Sequence, residues 1–294
     1  MTMLLNKKIL LSLGTLVFVA AAIAGATGAF FSDTETSTGN TFTAGAIDLT
    51  VDNTSYFSNS GGNDGIFHSD TSWVLKDLEN GDMFFNFSDL KPGDWGEDTI
   101  SLHVDNNDSW LCADVTLDSD DDVTSTEPEL EGGDEDVNDD PTGELANRVR
   151  FIWWADDGDN VLETCDFDNA PVNCADESTL NGGPLGALGV GNTAKVTLAD
   201  SGNSIWEGGP VPGESTRYIG KAWCFGDINE DPVDQDGVGF TQAVGGNGPD
   251  ERGAGFSCDG SDEDNSTQTD SMTATISFRA EQSRNNPGFT CLAD

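Results

Sequence analysis

Met272-Thr-Ala274-Thr-Ile276-Ser-Phe278-Arg-Ala280 places an apolar side chain at every second position. Successive side chains of a strand point to opposite faces, so this period describes a strand with one face on a core and the other in water. The same alternation recurs at Ile47, Leu49 and Val51, at Ile100, Leu102 and Val104, and at Leu111, Ala113, Val115 and Leu117. Val196 and Leu198 form a shorter run. Residues 148–155 (RVRFIWWA) and 216–226 (TRYIGKAWCFG) are denser in aromatics, as central strands covered on both faces would be. No helical period of useful length follows the N-terminal segment. The fold class is therefore all-β, an antiparallel β-sandwich.

The 294 residues contain 12 Lys+Arg against 54 Asp+Glu, a formal charge of −42. Such a field repels polyphosphate, which excludes nucleic acid as a partner, and disfavours adsorption to an anionic membrane. Both a high-salt habitat and recruitment of divalent cations fit this balance. The hydrophobic share of 36% is enough for a sizeable core.

The first residues decide the compartment. Lys7 and Lys8 precede an apolar run from Ile9 to Ala24, and small residues lead to Ala29. This is the pattern of a secretory signal helix, 1–29, cleaved between Ala29 and Phe30. An uncleaved membrane anchor is the competing reading. The membrane is then a partner only during export, and the product is secreted to the cell surface. Six cysteines in an oxidising compartment (Cys112, Cys165, Cys174, Cys224, Cys258, Cys291) suggest up to three disulfides. Local closure of Cys165 with Cys174 and of Cys224 with Cys258 would leave Cys112 for Cys291, one of several open connectivities.

Long acidic insertions separate the strands. Residues 118–144 hold 13 acids among 27 positions and no base, and read as a solvated loop. Residues 181–191 and 227–265 are rich in Gly, Pro and Asp and read as surface loops. With no repeat and no linker, 45–294 reads as one decorated domain.

Candidate chemistry is sparse. His68 sits in a polar loop and His103 in the polar phase of a strand, so both read as solvated side chains, and no catalytic residue is assigned. Common hydrolase and nucleotide-binding signatures do not occur. The chain is expected not to be an enzyme and to require no cofactor. Calcium is the ion that Asp156, Asp157, Asp159, Asn160 and Glu163 would take, since hard oxygens cluster there in a tight turn. An ordinary hairpin turn explains the same residues. Asp227, Asn229, Asp231, Asp234 and Asp236 form a weaker candidate. Sequons occur at Asn53, Asn86, Asn107 and Asn265.

Phe31-Ser32-Asp33, then Asn40, Phe42, Ala44, Gly45, Ile47, Asp48 and Leu49, closely resembles the start of the TasA/camelysin family, as does the Leu90-Lys-Pro-Gly-Asp94 turn before Ile100. The resemblance implies a jelly-roll-like sandwich, exported and polymerised into extracellular fibres. It implies an N-terminal donor segment, 30–44, that completes the sheet of the next subunit, through Phe30, Phe31, Thr34, Thr36, Thr38, Phe42 and Ala44. The partner is then the chain itself, with other matrix or cell-surface components. The alternatives are an N-terminal strand that pairs within its own domain, a monomeric or S-layer-associated calcium-binding adhesin, and a secreted peptidase. Camelysin-type relatives are labelled metallopeptidases, but no histidine pair at helical spacing accompanies the resemblance here.

Overall fold

The computed structural model describes residues 32–36, 47–59, 65–134, 140–164, 177, 179–206, 208–236, 239 and 246–292. The expected signal helix and its cleavage point at Ala29 and Phe30 lie outside these residues, as do Cys165 and Cys174. Strands are numbered β1 to β15 in chain order. One antiparallel sheet runs β1 (Ser32–Thr36), β15 (Ser271–Gln282), β6 (Ser109–Asp121), β10 (Thr193–Ala199). The other runs β3 (Ile66–Phe67), β2 (Asp48–Ser58), β5 (Trp95–Asp105), β11 (Ser215–Phe225), β7 (Val149–Asp156), β9 (Thr179–Pro184), with β4 (Trp73–Lys76) also on β2. Every alternating run of the sequence is one of these strands, and the two aromatic stretches are the neighbours β7 and β11, central in the larger sheet.

The alternation decides which atoms meet. Leu111, Ala113, Val115 and Leu117 of β6 and Ile276, Phe278 and Ala280 of β15 face Leu49, Val51, Ile100, Leu102, Val104, Phe151, Trp153 and Ile219 of the other sheet. Burying each large side chain contributes roughly 1.5–3 kcal/mol, so this interface holds the sandwich together. The outer face of the larger sheet is covered too. Trp95, Ile152, Trp154, Ala222 and Cys224 point there and pack with Leu162, Ala254 and Phe256 from the long insertions.

Those insertions are more ordered than their composition suggests. Residues 227–265 carry β12 (Asp227–Glu230) paired with β14 (Phe256–Asp259), a short helix α3 (Pro249–Arg252), and β13 (Val233–Asp234), which runs parallel to β8 (Glu163–Thr164). Residues 181–191 include the end of β9 and a 3-10 turn at Leu185–Leu188 with Leu185 buried. The solvated-loop reading of 118–144 also needs correction. Its first four residues finish β6, and Glu127–Gly132 form helix α1, followed by α2 (Leu145–Arg148). The Thr126 backbone N–H donates to the Glu129 carboxylate, and Gly133 ends α1 at φ 101°, a left-handed conformation that glycine adopts without strain. Glu129 is fully buried and accepts from Thr269 Oγ1 at 2.9 Å, so an acid-rich composition here hides a docked helix.

Among the described residues, two disulfides tie the periphery to the sheets. Cys112 of β6 bonds Cys291 near the C-terminus, and Cys224 of β11 bonds Cys258 of β14. The second anchors the insertion on the outer face of the larger sheet near the start of β7, where Cys224 lies opposite Arg150.

Candidate functional site

β7 ends at Asp156, and the chain then turns through Asp157-Gly-Asp159-Asn160, with Gly158 at φ 113° and Asn160 at φ 70°. A left-handed pair of this kind reverses the chain so tightly that successive carboxylates converge. The outer-facing phase of β7 carries Trp154 and Asp156 together. The Trp154 ring lies across Gly220, where a Cβ would come within 1.9 Å of Trp154 Cε2, and its Nε1 donates to Asp156 Oδ1 at 2.9 Å. Thr99 Oγ1 and the Gly158 N–H donate to Asp156 Oδ2 at 2.9 and 2.8 Å. Both oxygens of Asp156 are therefore engaged.

The other acids come from further off. Glu163 in β8 receives the Asp236 N–H at 3.4 Å on Oε1, and Glu177, next to β9, receives the Glu163 N–H on Oε2. Arg252, at the end of α3, pairs with Asp159 at 2.8 Å, with Asp236 at 3.2 Å and with Glu163. Asp157 Oδ2 accepts from Gln235 Nε2 at 3.3 Å. The Asn160 amide donates to Thr54 O at 2.7 Å and to Glu97 Oε2 at 2.8 Å. Glu97, on β5, is fully buried beneath the turn.

Three overlapping groups bring one carboxylate oxygen of each member within 4.8 Å of the others: Asp156, Asp157 and Asp159; Asp157, Glu163 and Glu177; and Asp159, Glu163 and Asp236. Burial, more than any neighbour, pushes the carboxyls up. Glu163 rises to about 7 despite the opposing Arg252, and Asp156 also to about 7, with Asp157 adding repulsion. Asp159 and Glu177 rise further for the same reason, and burial also pushes Glu97 well above the usual carboxylate range, each of the three facing Asp156 as well. A pocket of this kind favours a proton or a cation over bare charge.

The residues picked from sequence divide here. Asp156, Asp157, Asp159 and Glu163 do meet, while Asn160 gives its Nδ2 to Thr54 and Glu97 and leaves its buried Oδ1 without a hydrogen bond. Of the weaker candidate, Asp236 joins the pocket, whereas Asp227 pairs with Arg150 and the Asp234 carbonyl accepts from Arg252 Nη2 at 2.6 Å. Glu97, Glu177 and Arg252 were not legible as partners, because each lies in a separate segment of an acid-rich chain. His103 is half-buried, with Nε2 3.0 Å from Asp52 and Nδ1 3.0 Å from Thr216. His68 lies 2.9 Å from Thr71 Oγ1 and 4.9 Å, centroid to centroid, from the Phe87 ring.

A second feature is the N-terminal strand. β1 lies at the edge of the smaller sheet, antiparallel to β15 of the same chain, with Ser32 opposite Glu281, Thr34 opposite Arg279 and Thr36 opposite Ser277. Thr34 and Thr36 of the expected donor segment are thus in a strand. Phe30, Phe31, Thr38, Phe42 and Ala44 lie outside the described residues.

Residues 4–58 match the model of a family described as camelysin metallo-endopeptidase. The match ends where β2 ends and includes β1, so the TasA/camelysin character of this N-terminal segment rests on that model as well as on its motifs. No curated protein and no solved structure matches the chain. The expectation that the chain is not an enzyme is overturned by this match, since the family it resembles is described as a metallo-endopeptidase. A histidine-bound zinc does not fit the described residues: none of their close groups of metal-ligating side chains includes a histidine, and the described cysteines are in disulfides. No catalytic step is derived through such a centre.

Proposed function

We propose that the chain is an extracellular structural protein of a cell surface or biofilm matrix, built into filaments by exchange of its N-terminal strand. One observation carries this reading. The segment that matches the camelysin family includes a strand held at a sheet edge by β15, ahead of residues 37–46 and the body of the sandwich. Antiparallel pairing makes the same main-chain hydrogen bonds whether β1 comes from its own chain or from a neighbour, so exchange trades equivalent bonds. The sequence pattern of 1–29 supports export, and the disulfides fit an oxidising exterior.

Electron microscopy of the secreted protein, with and without residues 30–44, tests the reading. The intact chain should form filaments and the truncated chain should not. A synthetic peptide of 30–44 should bind the truncated chain and raise its melting temperature by mass action. Identical filaments from both proteins would overturn strand exchange. The family's printed description supports a second reading, a metallo-endopeptidase, which a proteolysis assay on the same preparation with and without chelator would test.

A further inference from the structure

We propose that Asp157, Glu163 and Glu177 bind one calcium ion, which fastens the acidic turn after β7 to the segment entering β9. The inference is independent of filament formation. It also differs from the residue set picked out by sequence alone: it keeps Asp157 and Glu163, adds Glu177, and drops Asp156 and Asp159, while Asn160 is not one of its three carboxylates.

The pocket's hydrogen bonds make the selection. Asp156 is saturated by Thr99, Trp154 and Gly158. The group of Asp159, Glu163 and Asp236 already has a cation, the Arg252 guanidinium. In the remaining group each carboxylate has one oxygen held and one without a partner. Asp157 is held by Gln235, Glu163 by the Asp236 N–H and Arg252, and Glu177 by the Glu163 N–H. Asp157 Oδ1, Glu163 Oε2 and Glu177 Oε1 are buried and accept no hydrogen bond. Glu163 is only 2% exposed, so water does not take the place of a partner at that side chain. Buried polar atoms left in this way are costly, and three converging carboxylates compound the cost by mutual repulsion.

A divalent cation removes both penalties. The ligands are all hard oxygens, and no nitrogen or sulfur donor joins the group, which selects calcium or magnesium over zinc. Calcium is favoured because it accepts several carboxylates in irregular geometry, whereas magnesium keeps most of its waters. The oxygens already held orient the ligands, as supporting hydrogen bonds do around a metal site.

The test uses the secreted full-length chain, stripped with chelator and titrated with calcium chloride at fixed ionic strength. Calorimetry should show one ion per chain, and the melting temperature should rise on binding. Terbium should bind in the same place, with emission sensitised by tryptophan and reversed by calcium. Glu177→Gln keeps an acceptor for the Glu163 N–H but removes the charge, and should weaken calcium about tenfold or more. Asp157→Asn should do the same and serves as the second variant if the first does not fold, while Asp118→Asn on β6 should bind as the parent does. No response of the parent chain up to about 10 mM calcium, above the roughly 0.1–1 mM constants of extracellular calcium modules, would overturn the proposal. So would parent-like affinity in both charge-removing variants, or magnesium binding as tightly as calcium.

Discussion

Lys221 of β11 and Asp98 of β5, cross-strand partners in the larger sheet, form an ion pair with side chains 0% and 1% exposed. Asp98 Oδ1 also accepts from Asn53 Nδ2 at 3.1 Å, and Lys221 Nζ stands 5.3 Å from the Phe85 ring centroid. A pair so fully desolvated stabilises little over an apolar substitute, yet removing one partner strands a buried charge. Lys221→Met should therefore cost about 3–5 kcal/mol in urea unfolding. Combining it with Asp98→Asn, which keeps an acceptor for Asn53, should restore most of the loss. Equal losses in the single and double variants would show that charge is not the cause.

Stability should fall as pH rises from mildly acid to mildly alkaline. Asp270, whose Oδ2 accepts from the Glu144 and Leu145 N–H groups at 2.7 and 3.0 Å, is raised by burial to about 6. Glu144 is raised to about 7, by burial first and then by Asp134 and Asp270. Groups raised in the folded state bind protons more readily there than in the unfolded chain. Their stabilising contribution is complete below the ordinary carboxylate range and is lost as pH passes about 6 to 7. The chelated protein should melt higher at pH 5.5 than at pH 8, and Glu144→Gln should narrow the gap. A melting temperature that climbs over that range would contradict the assignment.

Gly220→Ala should destabilise the sandwich by about 1–3 kcal/mol, because the added methyl enters the Trp154 ring. The displaced indole should also release Asp156, which will show as a change in tryptophan emission before any unfolding. An unchanged spectrum and melting temperature would mean that the ring has room to move.

Filament formation, if it proceeds by strand exchange, should be promoted by salt. Chains of charge −42, or −44 once Lys7 and Lys8 leave with the signal helix, repel one another at long range. At 1 M salt the screening length falls to about 3 Å, which leaves only contact interactions. Light scattering against sodium chloride concentration measures this directly. Assembly that weakens with salt would instead indicate attractive pairing between subunits.

The sheets were legible in the sequence because period two survives wherever one face is buried, as in β15 and β6. The small strands were not. β12 and β14 are four residues each, and their register is set by Phe256 and Cys258 docking on Trp95 and Cys224, contacts no local pattern announces. Helix α1 left one trace, Thr126 three residues before Glu129, which the surrounding acids obscured. The acidic turn stood out through its own spacing, whereas Glu177 and Asp236 reach it only through tertiary folding. In a chain with 54 acids, composition alone could not single them out.

The two borders of the smaller sheet are unlike. β10 closes one side with Lys195 and a register shift between Thr197 and Ala199 against β6, both features that discourage a further strand from adding there. The opposite side is closed by β1, a strand of five residues. The sheet thus has a direction: its β10 border resists a further strand, whereas its β15 border already carries β1. A polymer growing through this sheet would have two different ends, one presenting a strand and the other receiving it.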